Sequence, residues 1–284
     1  MHNILVPTDF SLEAENATQV AVQLSKKFNS CLNLLHIVEF DEPSTINIDL
    51  SREIEWTSIS QKLKVKIKSA RQALQLSIVL HGIVRHKRNE MKPLIVLGNP
   101  LKQIEDNISN IEADLVVMGT RGLWGYSEVL LGSNTEWVMR RALCPVVTIK
   151  DVAGEDNFSK ILVWWAEGRV NSKFLDTIKL FQLAFNSKVY FIHVMTKGKM
   201  QREDMIKRKL KDSLEGYNIP QSEWVSMSHH SVEEGILEFA DELEPCTIAT
   251  TTTKHSVLGR LFTKSFSGDM VNHAKHPVLT QLMS

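Results

Sequence analysis

The chain of 284 residues carries 33 basic and 33 acidic side chains and is 43% hydrophobic. That balance leaves no net field of the kind that holds a protein on nucleic acid by counterion release, and no apolar run reaches the roughly 18 residues of a membrane span, so neither partner is expected. The start, Met1 to Val6, lacks the charged and apolar regions of a signal peptide, which points to the cytoplasm. Cys31, Cys144 and Cys246 are too scattered for a disulfide framework or a zinc-ligand spacing and read as small core residues.

In chain order, Ile4 to Val6 is the first short apolar run and reads as a buried strand. Ser11 then caps a helix whose apolar face is Ala14, Ala17, Ala21, Leu24 and Phe28, and Leu32 to Val38 follows as a second strand. Lys62 to Lys68 alternates like an edge strand, but Ile59, Leu63, Ile67, Ala70 and Leu74 fit a helix face, and a parallel pair needs a crossover, so a helix is expected. Leu94 to Leu97 is a third strand. Gly98-Asn99-Pro100 ends it and opens a helix with Asn99 at the cap, Pro100 in the first turn, and Leu101, Ile104 and Ile108 on one face. Leu115 to Met118 and Val146 to Ile149 complete a β-α-β-α-β-α-β-α-β order, which predicts an α/β, doubly wound, five-stranded parallel sheet of Rossmann-like type.

The chain then repeats itself. Ile4-Leu5-Val6 returns as Ile161-Leu162-Val163, Phe28-Asn29-Ser30 as Phe185-Asn186-Ser187 and His36 as His193, all at an offset of 157. Ala142, Pro145, Val146 and Thr148 face Ala274, Pro277, Val278 and Thr280 at an offset of 132, so the second copy is 25 residues shorter in its middle. Two tandem domains are expected, 1–150 and 158–284, joined by the polar stretch 151–157.

The most informative segment follows the fourth strand: Gly119-Thr120-Arg121-Gly122, nine residues, then Gly132-Ser133-Asn134-Thr135-Glu136 leading into a helix. Glycines there permit close approach of a ligand and positive φ, and Ser133 with Glu136 forms an S-x-x-E capping box. Bare N–H groups and the positive dipole end attract phosphate, with the hydroxyls of Ser133 and Thr135 and the charge of Arg121 in support. Strand one ends in Pro7-Thr8-Asp9, and in an open parallel sheet the ligand crevice lies beyond such strand ends, where the winding reverses.

G-x-x-G, nine residues, G-[ST] resembles the nucleotide signature of ATP-binding universal stress proteins, and Ile4-Leu5-Val6-Pro7-Thr8-Asp9-Phe10-Ser11 resembles that family's opening strand. The resemblance covers the first domain almost end to end. It implies the universal stress protein fold and an adenine nucleotide, ATP or a relative, with or without magnesium. Asp9, beside Pro7 and Thr8, would bond the nucleoside, and Ile37 would touch adenine through its backbone. Met118, Gly119, Arg121, Gly122, Gly132, Ser133, Asn134 and Thr135 would line the ribose and phosphates. It further implies a non-catalytic, regulatory stress-response module in which the two domains pair about a pseudo-twofold axis, with a homodimer of two chains left open. Leu123, Trp124 and Glu128 depart from the family's small or basic residues, and Glu128 opposes phosphate. In the second copy Thr251, Lys254 and Lys264 replace Gly119, Gly122 and Gly132, Ala166 replaces Asp9, and Trp164 and Trp165 stand at Pro7 and Thr8, with Ser265 retained. No nucleotide is expected there.

No Walker lysine motif, G-x-S-x-G elbow or H-E-x-x-H occurs, and the glycines follow the fourth strand where a dinucleotide fingerprint would follow the first. Slow ATP hydrolysis, or an interaction module without nucleotide, are the alternatives. His36 and His193 recur in both copies and read as structural. The pairs His81 and His86, His229 and His230, and His273 and His276 lack a sequence neighbour completing a recognised metal set, so no metal is expected. Lys62, Lys64, Lys66, Lys68 and Arg71 read as a solvated helix face.

Overall fold

The computed structural model describes residues 1–39, 47–48, 61–81, 90–120, 133–164, 172–196, 203–252 and 274–282. The chain divides into two compact units, Met1–Ile149 and Lys150–Ser284.

In the first unit, β1 (Asn3–Pro7) leads to α1 (Leu12–Phe28), β2 (Cys31–Val38), a two-residue β3 (Asn47–Ile48), α2 (Gln61–Leu80), β4 (Met91–Leu97), α3 (Pro100–Asn110), β5 (Leu115–Gly119), α4 (Ser133–Arg141) and β6 (Val146–Ile149). The sheet runs β3-β4-β2-β1-β5-β6, parallel except for β3, which lies antiparallel on Ile95 and Val96 of β4. Its five parallel strands are the expected ones; β3 is an addition. β4 begins three residues before its apolar run, taking in Lys92 and Pro93. Among the described residues β3 reaches only Ile95 and Val96, and an edge position of that kind tolerates proline.

Ser11 caps α1 by accepting the Ala14 N–H at 3.2 Å, and Ala17, Val20, Ala21 and Leu24 are wholly buried beneath it. Asn99 caps α3 in the same way through Lys102, with Pro100 in the first turn. α2 buries Leu63, Ile67, Ala70 and Leu74, and its lysines and Arg71 lie on the more exposed side. β5 and β6 are buried along their whole length, on both faces, as parallel strands covered by helices must be.

The second unit has the 3-10 turn Glu155–Phe158, β7 (Lys160–Trp164), α5 (Ser172–Phe185), β8 (Lys188–Met195), α6 (Glu203–Ser213), β9 (Ser222–Ser228), α7 (Val232–Leu243), β10 (Thr247–Thr252) and β11 (Val278–Leu282). Its strands are ordered β11-β10-β7-β8-β9, all parallel. Strand register repeats between units. Ile4 pairs with Leu115 and Leu32, and Ile161 pairs with Thr247 and Val189; Val116 pairs with Val146, and Ile248 with Val278. The shortening falls in one crossover: 52 residues separate Val38 from Met91, and 26 separate Met195 from Ser222.

The polar stretch between the copies is not all linker. Its end is folded, because Phe158 is fully buried and rests on Phe181 and Phe185, with centroids 5.7 and 5.1 Å away, while Asn157 accepts the Gly154 N–H. The cysteines also differ from a uniform core reading. Cys144 and Cys246 are buried, but Cys31 is half-buried with Sγ 3.4 Å from the Glu90 carbonyl.

Candidate functional site

The winding of the first sheet reverses between β1 and β5, since β2 and β4 build outward on one side of β1 and the chain then returns to the other. At that seam the ladder is short. β1 pairs with β2 through to Pro7 and β5 with β6 through to Gly119, yet β1 and β5 pair only at Ile4–Leu115 and Leu5–Val116. Beyond these pairs no ladder joins β1 to β5 among the described residues, and Pro7, Thr8 and Asp9 with Met118, Gly119 and Thr120 stand at the carboxyl-end crevice position of an open parallel sheet.

The β1 wall is held by a hydrogen-bonded knot. Thr8 donates its N–H to Leu35 at 2.8 Å and accepts the Phe10 N–H on its hydroxyl at 3.1 Å. His36 Nδ1 donates to the Thr8 carbonyl at 2.8 Å, and the imidazole stacks on Phe10 with centroids 4.5 Å apart. Burial pulls the His36 imidazole below its ordinary range, against the opposing effects of the Thr8 hydrogen bond and the Asp9 charge. Phe10 has φ of 64°, a left-handed value rare for an aromatic residue. Asp9 accepts the Ser11 N–H at 3.0 Å, which fixes its carboxylate at the mouth of the crevice beside the start of α1. Ile37 sits half-buried near the end of β2, paired with Val96.

On the β5 wall two of the expected residues have structural parts. A Cβ on Gly119 would lie 2.8 and 2.9 Å from the Glu13 carbonyl carbon and oxygen and 3.0 Å from the Ala14 nitrogen. Gly119 is thus required by close packing of β5 against the first turn of α1; a positive φ is not what demands it. Thr135 is buried and its hydroxyl donates to the Gly119 carbonyl at 2.8 Å, which braces α4 against β5. Thr8 serves its turn in the same sense. Met118 is buried in β5, while Asn134 is exposed in the first turn of α4.

Helix α4 has Ser133 as its first residue, where the expected capping box would place it one position before the helix, and the Glu136 carboxylate pairs forward with Arg140 at 2.7 Å. Arg121, Gly122, Gly132, Leu123, Trp124 and Glu128 lie outside the described residues, as do Trp165, Ala166, Lys254, Lys264 and Ser265 of the second copy. Thr120, which was not singled out from the sequence, is buried at the end of β5. Its N–H bonds the Ile149 carbonyl at 3.0 Å, and its hydroxyl has no partner among the described residues. In the second unit the position of Gly119 is Thr251, and Trp164 is buried at the end of β7.

Residues 1–150 match the family model described as Universal stress protein family. The chain belongs to the universal stress protein family. A universal stress protein of Methanocaldococcus jannaschii is 29% identical over 147 residues, 52% of this chain and 81% of the relative. One from Synechocystis is 29% identical over 150 residues, 52% of this chain and 96% of the relative. Across both units, the crystal structure of a universal stress protein from Archaeoglobus fulgidus shares the fold, at a TM-score of 0.75 and 17% identity, covering 99% of this chain and 98% of that one. No helix among the described residues is long and apolar enough to cross a membrane.

Proposed function

We propose that the first unit binds one adenine nucleotide, ATP or a close relative, in the crevice between β1 and β5, and that the nucleotide acts as a regulatory ligand in a stress response. The observation that carries this reading is the short seam: the β1–β5 ladder stops at Leu5 and Val116, while the first turn of α4 is tied by Thr135 to the carbonyl end of β5. An α-helix leaves its first N–H groups without intrahelical partners, and at this place they favour an anion.

The residues present suit such a ligand. The Thr120 hydroxyl is a buried polar group without a partner among the described residues at the β5 end, and Asp9 is a fixed carboxylate at the β1 end, the chemistry a ribose hydroxyl calls for. On this reading Pro7, Asp9 and the Ile37 backbone hold the nucleoside. Arg121, Gly122, Gly132, Ser133 and Asn134 take the phosphates, with magnesium on the phosphate oxygens where it is present. The domains are taken as 1–150 and 158–284, and the second is assigned no nucleotide, since Thr251 and Trp164 replace a glycine and a proline.

Titration calorimetry with ATP and magnesium on ligand-stripped protein tests this. One site per chain is expected, lost in Gly132→Lys and kept in Ser265→Ala. A flat titration, or two sites per chain, would overturn it. Phosphate release during the same incubation separates a regulatory ligand from a slowly hydrolysed one.

A further inference from the structure

The second unit holds a cluster that its sequence alone conceals. β9 ends at Ser228, and the next residues, His229 and His230, precede α7, whose Ser231 cap accepts the Glu234 N–H. Glu234 and Glu238 are one turn apart on α7 and return over the two imidazoles. His230 Nε2 contacts the Glu234 carboxylate, and His229 Nε2 lies 3.4 Å from Glu238. One ligand atom each from His229, His230 and Glu234 fall within 4.8 Å of one another. The missing carboxylates of the histidine pair are thus supplied by the following helix.

His229 is the fixed member of the group. It is largely covered, whereas His230, Glu234 and Glu238 are exposed and free to close. Its Nδ1 lies 2.9 Å from the Ser231 carbonyl and 3.2 Å from the Ser231 nitrogen, which holds the imidazole against the start of α7. Each ring nitrogen of His229 faces a carboxylate, Nδ1 at 4.0 Å from Glu234 and Nε2 at 3.4 Å from Glu238. A second observation concerns α7 itself. Gly235 is a helix-interior glycine, a residue that weakens a helix relative to alanine. A Cβ there would meet His229 Cβ and Val194 Cγ1, both at 3.0 Å. The glycine makes the seat in which His229 rests.

We propose that His229, His230 and Glu234, with Glu238 as a fourth donor, form a binding site for a divalent transition metal of the zinc class. Two neutral imidazoles and two carboxylates balance the charge of the ion, and nitrogen with oxygen donors suits zinc. Donors about 2.0–2.2 Å from zinc stand roughly 3.3 Å from one another in a tetrahedron, so closure from separations of up to 4.8 Å asks for up to about 1.5 Å of movement by the exposed side chains.

Zinc titrated alone into the full, tag-free chain, followed by calorimetry, tests the site. One ion per chain is expected, with affinity falling at least tenfold in His230→Ala and in Glu234→Gln, both solvent-exposed changes, and unchanged in His81→Ala in the first unit. Cobalt in place of zinc gives the visible absorption of a tetrahedral ion in the parent and none in His230→Ala. Absence of zinc binding, or equal affinity in parent, His230→Ala and Glu234→Gln, would overturn the proposal.

Discussion

Replacing Gly119 by alanine isolates the reason that a glycine ends β5. The added methyl would sit 2.8–3.0 Å from three backbone atoms of Glu13 and Ala14, and backbone cannot swing aside as a side chain can. Those atoms are pinned from two directions, by the Ser11 hydroxyl on the Ala14 N–H at 3.2 Å and by the Ser11 carbonyl on the Glu15 N–H at 2.9 Å. Forced overpacking of this kind costs about 1–3 kcal/mol, and with the helix start held twice the upper half is expected, about 2–3 kcal/mol. For a unit of this size each kcal/mol lowers the melting temperature by roughly 2–4 °C, so the first unit should melt about 4–12 °C earlier. Calorimetric melting of nucleotide-free protein reads this, with Gly154→Ala, whose Cβ would meet nothing within 4 Å, as the near-neutral control. An unchanged melting temperature, accompanied by lost nucleotide affinity, would refute the packing argument and return the glycine to the ligand.

Two further outcomes follow from titrating groups. The folded His36 imidazole titrates below its ordinary 6.5 because burial disfavours its charged form, so the stability it contributes is intact above 6.5 and is lost as pH falls through the lower folded value. His36→Asn, which keeps an N–H for the Thr8 carbonyl but does not titrate, should flatten the fall in urea midpoint between neutral and mildly acidic pH; an identical slope would exclude His36 as its source. Burial pushes the Cys144 and Cys246 thiols up to about 12, so at pH 8 a disulfide reagent should leave both unmodified in native protein and react with all three cysteines in denaturant. Rapid native labelling of Cys144 or Cys246 would contradict their burial.

The parallel framework was legible because its signals are local. Apolar runs bounded by Ser11, Asn99 and Pro100 mark strand ends and helix starts without knowledge of what packs where. β3 was not legible, since two residues make no pattern, and neither was the early start of β4, which runs against the ordinary meaning of Pro93. At the site, sequence locates the strand ends and the start of α4 but does not show what packs against them. A glycine demanded by a helix backbone and one demanded by a ligand look alike in one dimension, as do a threonine that braces and one that binds; only the Gly119–Glu13 and Thr135–Gly119 distances separate them. Thr120 escaped notice because a hydroxyl between glycine and arginine carries no signal until its burial is known. The His229 and His230 pair was set aside for want of carboxylates that were four and eight residues away on the next helix.

Phe10 holds a backbone conformation that costs an L-residue roughly 1–2 kcal/mol, and such a bend survives only where its surroundings leave no alternative. Here the surroundings are one imidazole and one threonine, themselves joined to each other. The His36 ring works as a latch on the peptide between Asp9 and Ser11. A change that dislodges it lets the bend unwind, and the carboxylate and the helix cap on either side lose their fixed positions together, so the front of the crevice is set from the strand behind it.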